Sequence, residues 1–203
     1  MKKNLTMVLI LMTLVLSACS NNSNYIDGDG INTESESGSN QSSAFRNSSW
    51  GDSMEQVRKQ ERDLELFELE EGRLLICDGK LQGYDCSILY NFVDNKFVRG
   101  AYHLSDLGNS IGSYKAIYDS LKEKLYVKYG EPIEDTIVNL ESQSLIDAVG
   151  EQAVRYGYVL HKARWEIDDT EIMIVMSAQD FEISILIYYT DINYDENANT
   201  EGL

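Results

Sequence analysis

Tyr84-Asp85-Cys86-Ser87-Ile88-Leu89-Tyr90-Asn91-Phe92-Val93-Asp94-Asn95-Lys96 is the stretch that decides the fold. Tyr84, Cys86, Ile88, Tyr90 and Phe92 recur at every second position, while Asp85, Ser87 and Asn91 fall between them. That period places one face of a β-strand in a core and turns the other outward. Asp94-Asn95-Lys96 then has the composition of a hairpin loop. Counting three loop residues pairs Phe92 with Val98, Ile88 with Tyr102 and Cys86 with Leu104, all on one face. A two-residue loop would bring Arg99 and His103 onto that face instead, so the three-residue register is expected.

Working outward, strands are expected at 64–70 (an edge), 73–78 and 97–104, and again at 159–167, 171–177 and 181–190. The last three are separated by Asp168-Asp169-Thr170 and Ala178-Gln179-Asp180. Ile183, Ile185, Ile187 and Tyr189 alternate as the earlier residues do. A short helix is expected from Asp52 as cap, with Glu55 three residues on and Met54 and Val57 opening an apolar face, ending near Arg62. A longer one is expected at 113–129, with Ile117, Leu121 and Leu125 on one stripe beside Tyr118 and Tyr129, stopped by Gly130 and Pro132. The stretch 135–157 holds either a short helix near 144–156 or a loose connection. The fold class is therefore α+β, an antiparallel sheet with helices packed on one face. Helix followed by strands occurs twice, which suggests two related halves.

The amino terminus has the order of an export leader. Lys2 and Lys3 precede an apolar run from Met7 to Leu16, and Leu16-Ser17-Ala18-Cys19 closes it with small residues. The run is shorter than the roughly 20 apolar residues that a membrane-spanning helix needs. Leu-Ser-Ala-Cys resembles the bacterial lipobox. That resemblance implies cleavage before Cys19 and a lipid on its thiol, holding the protein at the extracytoplasmic face of a cell membrane or outer membrane. Acyl chains contribute about 0.8 kcal/mol per buried methylene, so two or three anchor stably. The organisation expected is a leader over 1–18, a lipidated Cys19 with a polar acidic tether over 19–44, one domain over 45–190 and a polar tail over 191–203. A tether of about 25 residues of this composition reaches roughly 25–30 Å. Within it Asp27, Asp29, Gly30 and Glu36 fall at the third, fifth, sixth and twelfth places of a calcium-loop pattern. Tyr25 at the first place has no carboxylate and Asn32 at the eighth is not aliphatic, so the stretch reads as an acidic linker.

The net charge is −17, and removal of Lys2 and Lys3 with the leader makes it −19. That charge excludes nucleic acid as a partner. It also opposes anionic headgroups and favours cationic partners. The partners expected are the membrane, through Cys19, and an envelope protein.

Phe45-Arg46, Trp50-Gly51, Ser53 and Val57, then Tyr84 and Cys86 through Lys96, then Lys128-Tyr129-Gly130-Glu131-Pro132 and Trp165, resemble a family of uncharacterised small exported bacterial lipoproteins. The helix-plus-sheet order is more distantly similar to β-lactamase-inhibitor-protein-like folds. Such a similarity implies architecture and leaves function open.

Gly108-Asn109-Ser110-Ile111-Gly112 matches the G-x-S-x-G elbow of esterases, with His161 downstream. The elbow needs a strand of a parallel sheet running directly into the turn. Here Ser105-Asp106-Leu107 intervene and the sheet is expected to be antiparallel. The reading expected is a non-enzymatic binding or accessory domain without catalytic residues, and its rival is an envelope hydrolase using Ser110 and His161. Cys77 and Cys86 would face each other across a symmetric hairpin, as a disulfide or as two buried thiols. His103 and His161 lack zinc-motif spacing, and neither a metal nor a cofactor is expected.

Overall fold

The alternation at 84–93 forms one strand, and its neighbours assemble around it. A computed structural model describes residues 44–108 and 110–194. In chain order these form α1 (Met54–Gln60), β1 (Phe67–Leu69), β2 (Leu74–Leu81), β3 (Tyr84–Val93), β4 (Lys96–Leu104), α2 (Ile111–Tyr129), β5 (Glu134–Asn139), α3 (Gln143–Val149), a 3-10 turn (Gly150–Val154), β6 (Val159–Ile167), β7 (Thr170–Gln179) and β8 (Glu182–Asp191). The strands make one eight-stranded antiparallel sheet in the order β1-β2-β3-β4-β8-β7-β6-β5. The fold class is α+β. A helix and four strands come first, another helix and four strands follow with α3 and the 3-10 turn inserted between β5 and β6, and the two sets meet where β4 pairs with β8.

Helices α1 and α2 contribute to one core. Met54 and Val57 of α1, and Tyr114, Tyr118, Leu121 and Leu125 of α2, share a single core with Cys77, Cys86, Ile88, Tyr90, Trp165, Ile174, Ile185 and Ile187. α1 is capped by Ser53, whose hydroxyl accepts from Gln56 N while Gln56 Oε1 accepts from Ser53 N. Asp52, the expected cap, instead closes the preceding turn by accepting from Ser49 N at 2.7 Å. α2 ends at Gly130, φ 83°, as the glycine there predicts.

Two departures change the expected register. The β3–β4 loop has two residues, Asp94 and Asn95, with φ 50° and 60°. Two left-handed residues suit a tight hairpin turn, and Asp and Asn adopt that region more readily than most. A bulge then leaves Val98 unpaired, so Phe92 pairs with Phe97 while Asn91 pairs with Arg99 and Ile88 with Tyr102. The expected pairing is thus recovered away from the turn by one extra residue. Residues 135–157 hold an edge strand, β5, as well as a helix. Strand β8 runs through Asp191, into what the sequence marks as tail.

The segment before α1 is fastened to the sheet. Phe45 lies over β3, β4 and β8, its ring 5.4, 5.1 and 5.3 Å from those of Tyr90, Tyr102 and Tyr189. It can do so because residue 100 is glycine: a Cβ there would stand 2.2 Å from the Phe45 ring. Glu61, its side chain 1% exposed, accepts from Arg46 Nε at 3.3 Å, Asn47 N at 3.0 Å and Asn47 Nδ2 at 3.3 Å. A buried carboxylate is tolerated only with partners of this kind.

Candidate functional site

Cys19, the tether and its acidic patch around Asp27 and Glu36 lie outside the described residues. The described chain begins at Ala44, one residue before the Phe45 anchor.

Ser110 and His161 are not brought together. Ser110 is the N-cap of α2: its Oγ accepts from Ser113 N at 3.1 Å and lies 2.8 Å from Ser113 Oγ. The Gly-Ser-Gly pattern therefore has a local explanation, the start of a helix. His161 sits on β6 against Tyr118, ring centroids 5.8 Å apart. Tyr118 is two turns beyond Ser110 on α2, about 12 Å along the axis, well outside hydrogen-bond reach. Burial, with Lys115 nearby, lowers the His161 pKa from its ordinary value.

Cys77 and Cys86 are both free and buried. The β2–β3 turn is Gln82-Gly83, so Cys77 pairs with Ile88 and Cys86 with Gly79. They are diagonal neighbours and not opposite, as a turn centred one residue earlier would have made them. Diagonal positions stand roughly 7–8 Å apart, beyond the span that a disulfide closes without backbone movement. Burial pushes both thiols up to about 11. The pair is inert and forms part of the core.

The register creates one cleft that no local motif announces. Asp78 pairs with Ser87 and Ser87 with His103, forming a row across β2, β3 and β4. With Asp85, Ser105, Asp106 and Leu107 these line a cleft of about 630 Å³. His103 is buried, between β3 and β8 in the sheet. Burial lowers its pKa to about 4, against a smaller opposing pull from Asp106, so it is neutral at ordinary pH. Asp85 is already met by Lys80 at 2.5 Å, an exposed pair of small energetic weight. Carboxylates, hydroxyls and a neutral imidazole can accept hydrogen bonds from a small polar cation. The residues come from three segments, so only the pairing of the strands unites them. Among the described residues no group of His, Cys, Asp and Glu is placed to hold a metal ion, and no helix is long and apolar enough to cross a membrane.

Comparison of the chain with protein-family models, with curated proteins and with solved structures returns no match.

Proposed function

We propose that this protein is a lipoprotein of the bacterial envelope, cleaved before Cys19, which displays a non-enzymatic binding or accessory domain at the extracytoplasmic surface of a cell membrane or outer membrane. The observation that carries the reading is the order of Lys2-Lys3, the apolar run and Leu16-Ser17-Ala18-Cys19, followed by about 25 polar residues before the first core side chain, Phe45. With a mature charge of −19 the domain is repelled by anionic headgroups, so the lipid is its hold on the bilayer. The binding role is supported by the use of Ser110 as a helix cap and by the separation of His161 from it. Kinship with the small exported lipoproteins, and at fold level with β-lactamase-inhibitor-protein-like proteins, belongs to this proposal and is supported by the quoted motifs and the repeated helix-then-strands order.

Metabolic labelling with an alkyne fatty acid, followed by membrane fractionation, tests the anchor. The wild-type chain should label and sediment with membranes, and Cys19→Ala should do neither. An intact mass showing an unmodified Cys19 thiol would overturn it. A fluorophosphonate probe that labels the protein stoichiometrically, and no longer labels Ser110→Ala, would replace the binding domain by a hydrolase.

A further inference from the structure

The two halves of the fold invite comparison turn by turn. Counting each helix and its four strands, the β3–β4 hairpin of the first half corresponds to the β7–β8 hairpin of the second. The first closes on Asp94-Asn95 and the second on Asp180-Phe181, and all four residues are left-handed, with φ 50°, 60°, 51° and 66°. Phe181 thus stands where the first half has Asn95. Asn suits that backbone, and its side chain works for the fold, accepting from Met54 N at 3.1 Å. A bulky aromatic at positive φ is disfavoured by sterics. The ring is also 61% exposed, so the core gains little from it.

What the ring does touch is another outlying group. Tyr156, 46% exposed, meets Phe181 edge-on at 5.6 Å and stacks on Tyr158 at 5.6 Å. The Tyr158 carbonyl accepts from the backbone N–H of Leu140, which is 55% exposed. Leu140, Tyr156 and Tyr158 all belong to the β5–β6 connection, residues 140–158. The corresponding β1–β2 connection of the first half is only residues 70–73. Both departures of the second half from the first therefore converge on one apolar ledge at the end of β5, β6, β7 and β8. Exposed Glu141, Asp180 and Glu182 lie beside Leu140 and Phe181 in the chain, three carboxylates against the single half-buried Arg155 beside Tyr156. Protein interfaces have this composition: aromatic anchors in the middle and charge at the rim.

We infer that this ledge is the surface through which the domain holds its partner, a peptide segment carrying Lys or Arg on either side of an aliphatic or aromatic side chain. The inference rests on the binding-domain reading above. Apolar side chains of the segment cover Tyr156 and Phe181, and its cations meet the acidic rim. A guanidinium over an exposed tyrosine face adds a cation–π contribution. The free domain gains little from the exposed, left-handed Phe181, so a contact made through its ring is what the strained position serves.

The test uses the full chain and three sets of short synthetic peptides: Arg/Lys flanking two aliphatic or aromatic residues, the same with Glu for the cations, and the same with Ser for the apolar pair. Fluorescence anisotropy should show binding of the first set alone, weakening as salt is raised. Phe181→Asn recreates the Asp-Asn turn of the other hairpin, so it should leave the melting temperature equal or higher while lowering affinity about tenfold or more. Tyr156→Ser should lower affinity similarly, and Val127→Asn, on the exposed side of α2, should not. No binding by the first set, affinity unchanged in Phe181→Asn, or a melting temperature lowered by several degrees in that variant would each overturn the ledge. Photocrosslinking in cells from positions 181 and 127 separates this failure from that of the binding-domain reading. A specific protein adduct from 127 with none from 181 leaves a binding domain but places its contact elsewhere.

Discussion

Trp50 Nε1 donates to Thr170 Oγ1 at 2.9 Å, joining residues 120 apart in the chain. Trp50 belongs to the turn before α1 and packs on Phe97 of β4, ring centroids 5.0 Å apart, whereas Thr170 opens β7. The bond therefore ties the entry of the first half to a strand of the second, beside the β4–β8 seam. Thr170 is buried and donates its own proton to Asp169 Oδ1 at 3.2 Å, so the indole fills the acceptor side of that hydroxyl. Trp50→Phe keeps most of the ring contact and removes the donor. It should destabilise the domain by about 1 kcal/mol in urea unfolding, within the usual range for one hydrogen bond. A change below a few tenths would mean that the seam is held by packing alone.

Gly100 is required by the Phe45 ring. Its φ is not in the left-handed region, so the need is for space: the ring atoms would stand 2.2 to 2.7 Å from an added Cβ. Phe45 is enclosed by three tyrosines and Phe97, leaving it little room to withdraw. Gly100→Ala should cost about 2–3 kcal/mol, the upper range for overpacking. Adding Phe45→Leu should recover part of the loss, and a double-mutant cycle in chemical denaturation measures the coupling.

The strands that carry the core were legible because one of their faces is buried. Strands β3 and β6 have the bounds that alternation predicts. Strand β5 was not legible: it is an edge, exposed over most of its length, and Glu134-Asp135-Thr136 carries no apolar alternation. Periodicity also places Phe181 inside a strand, since a hydrophobic residue beside Ile183 and Ile185 looks like one more member of the series. Only the backbone reveals it as a turn residue. The Val98 bulge is hidden for a related reason, because a two-residue turn plus one unpaired residue gives the same pairing beyond it as a three-residue loop. Candidate sites fared less evenly. The Ser110 pattern was legible but reflects a helix cap, while the Asp78–Ser87–His103 row depends on strand register and has no local signature.

Free thiols are a direct consequence of the Gln82-Gly83 turn. Cys77 and Cys86 are diagonal neighbours, and burial holds both pKa values near 11, so few thiolates form at neutral pH. In the native protein neither should react appreciably with a maleimide over minutes. After denaturation without reductant both should react, as read by mass added to peptides containing them. Failure of both to label until a reductant is present would show that the strands move enough to close a bond.

Acid should weaken the fold through His103. In the unfolded chain an ordinary histidine takes up its proton near pH 6.5, whereas in the folded domain burial delays this to about 4. Between those values the unfolded state binds more protons, so the neutral ring's contribution is fully present above about pH 6.5 and is lost as pH falls toward 4. The loss is at most about 3 kcal/mol for a shift of this size. Carboxylates titrate in the same interval, so the comparison that isolates His103 is wild type against His103→Gln, by urea unfolding at several pH values between 7 and 4. The variant should start less stable, because a buried imidazole is replaced by an amide that packs differently, but its stability should decline less steeply with acid. Parallel declines in the two proteins would place the proton uptake elsewhere and return His103 to the role of a packed polar side chain.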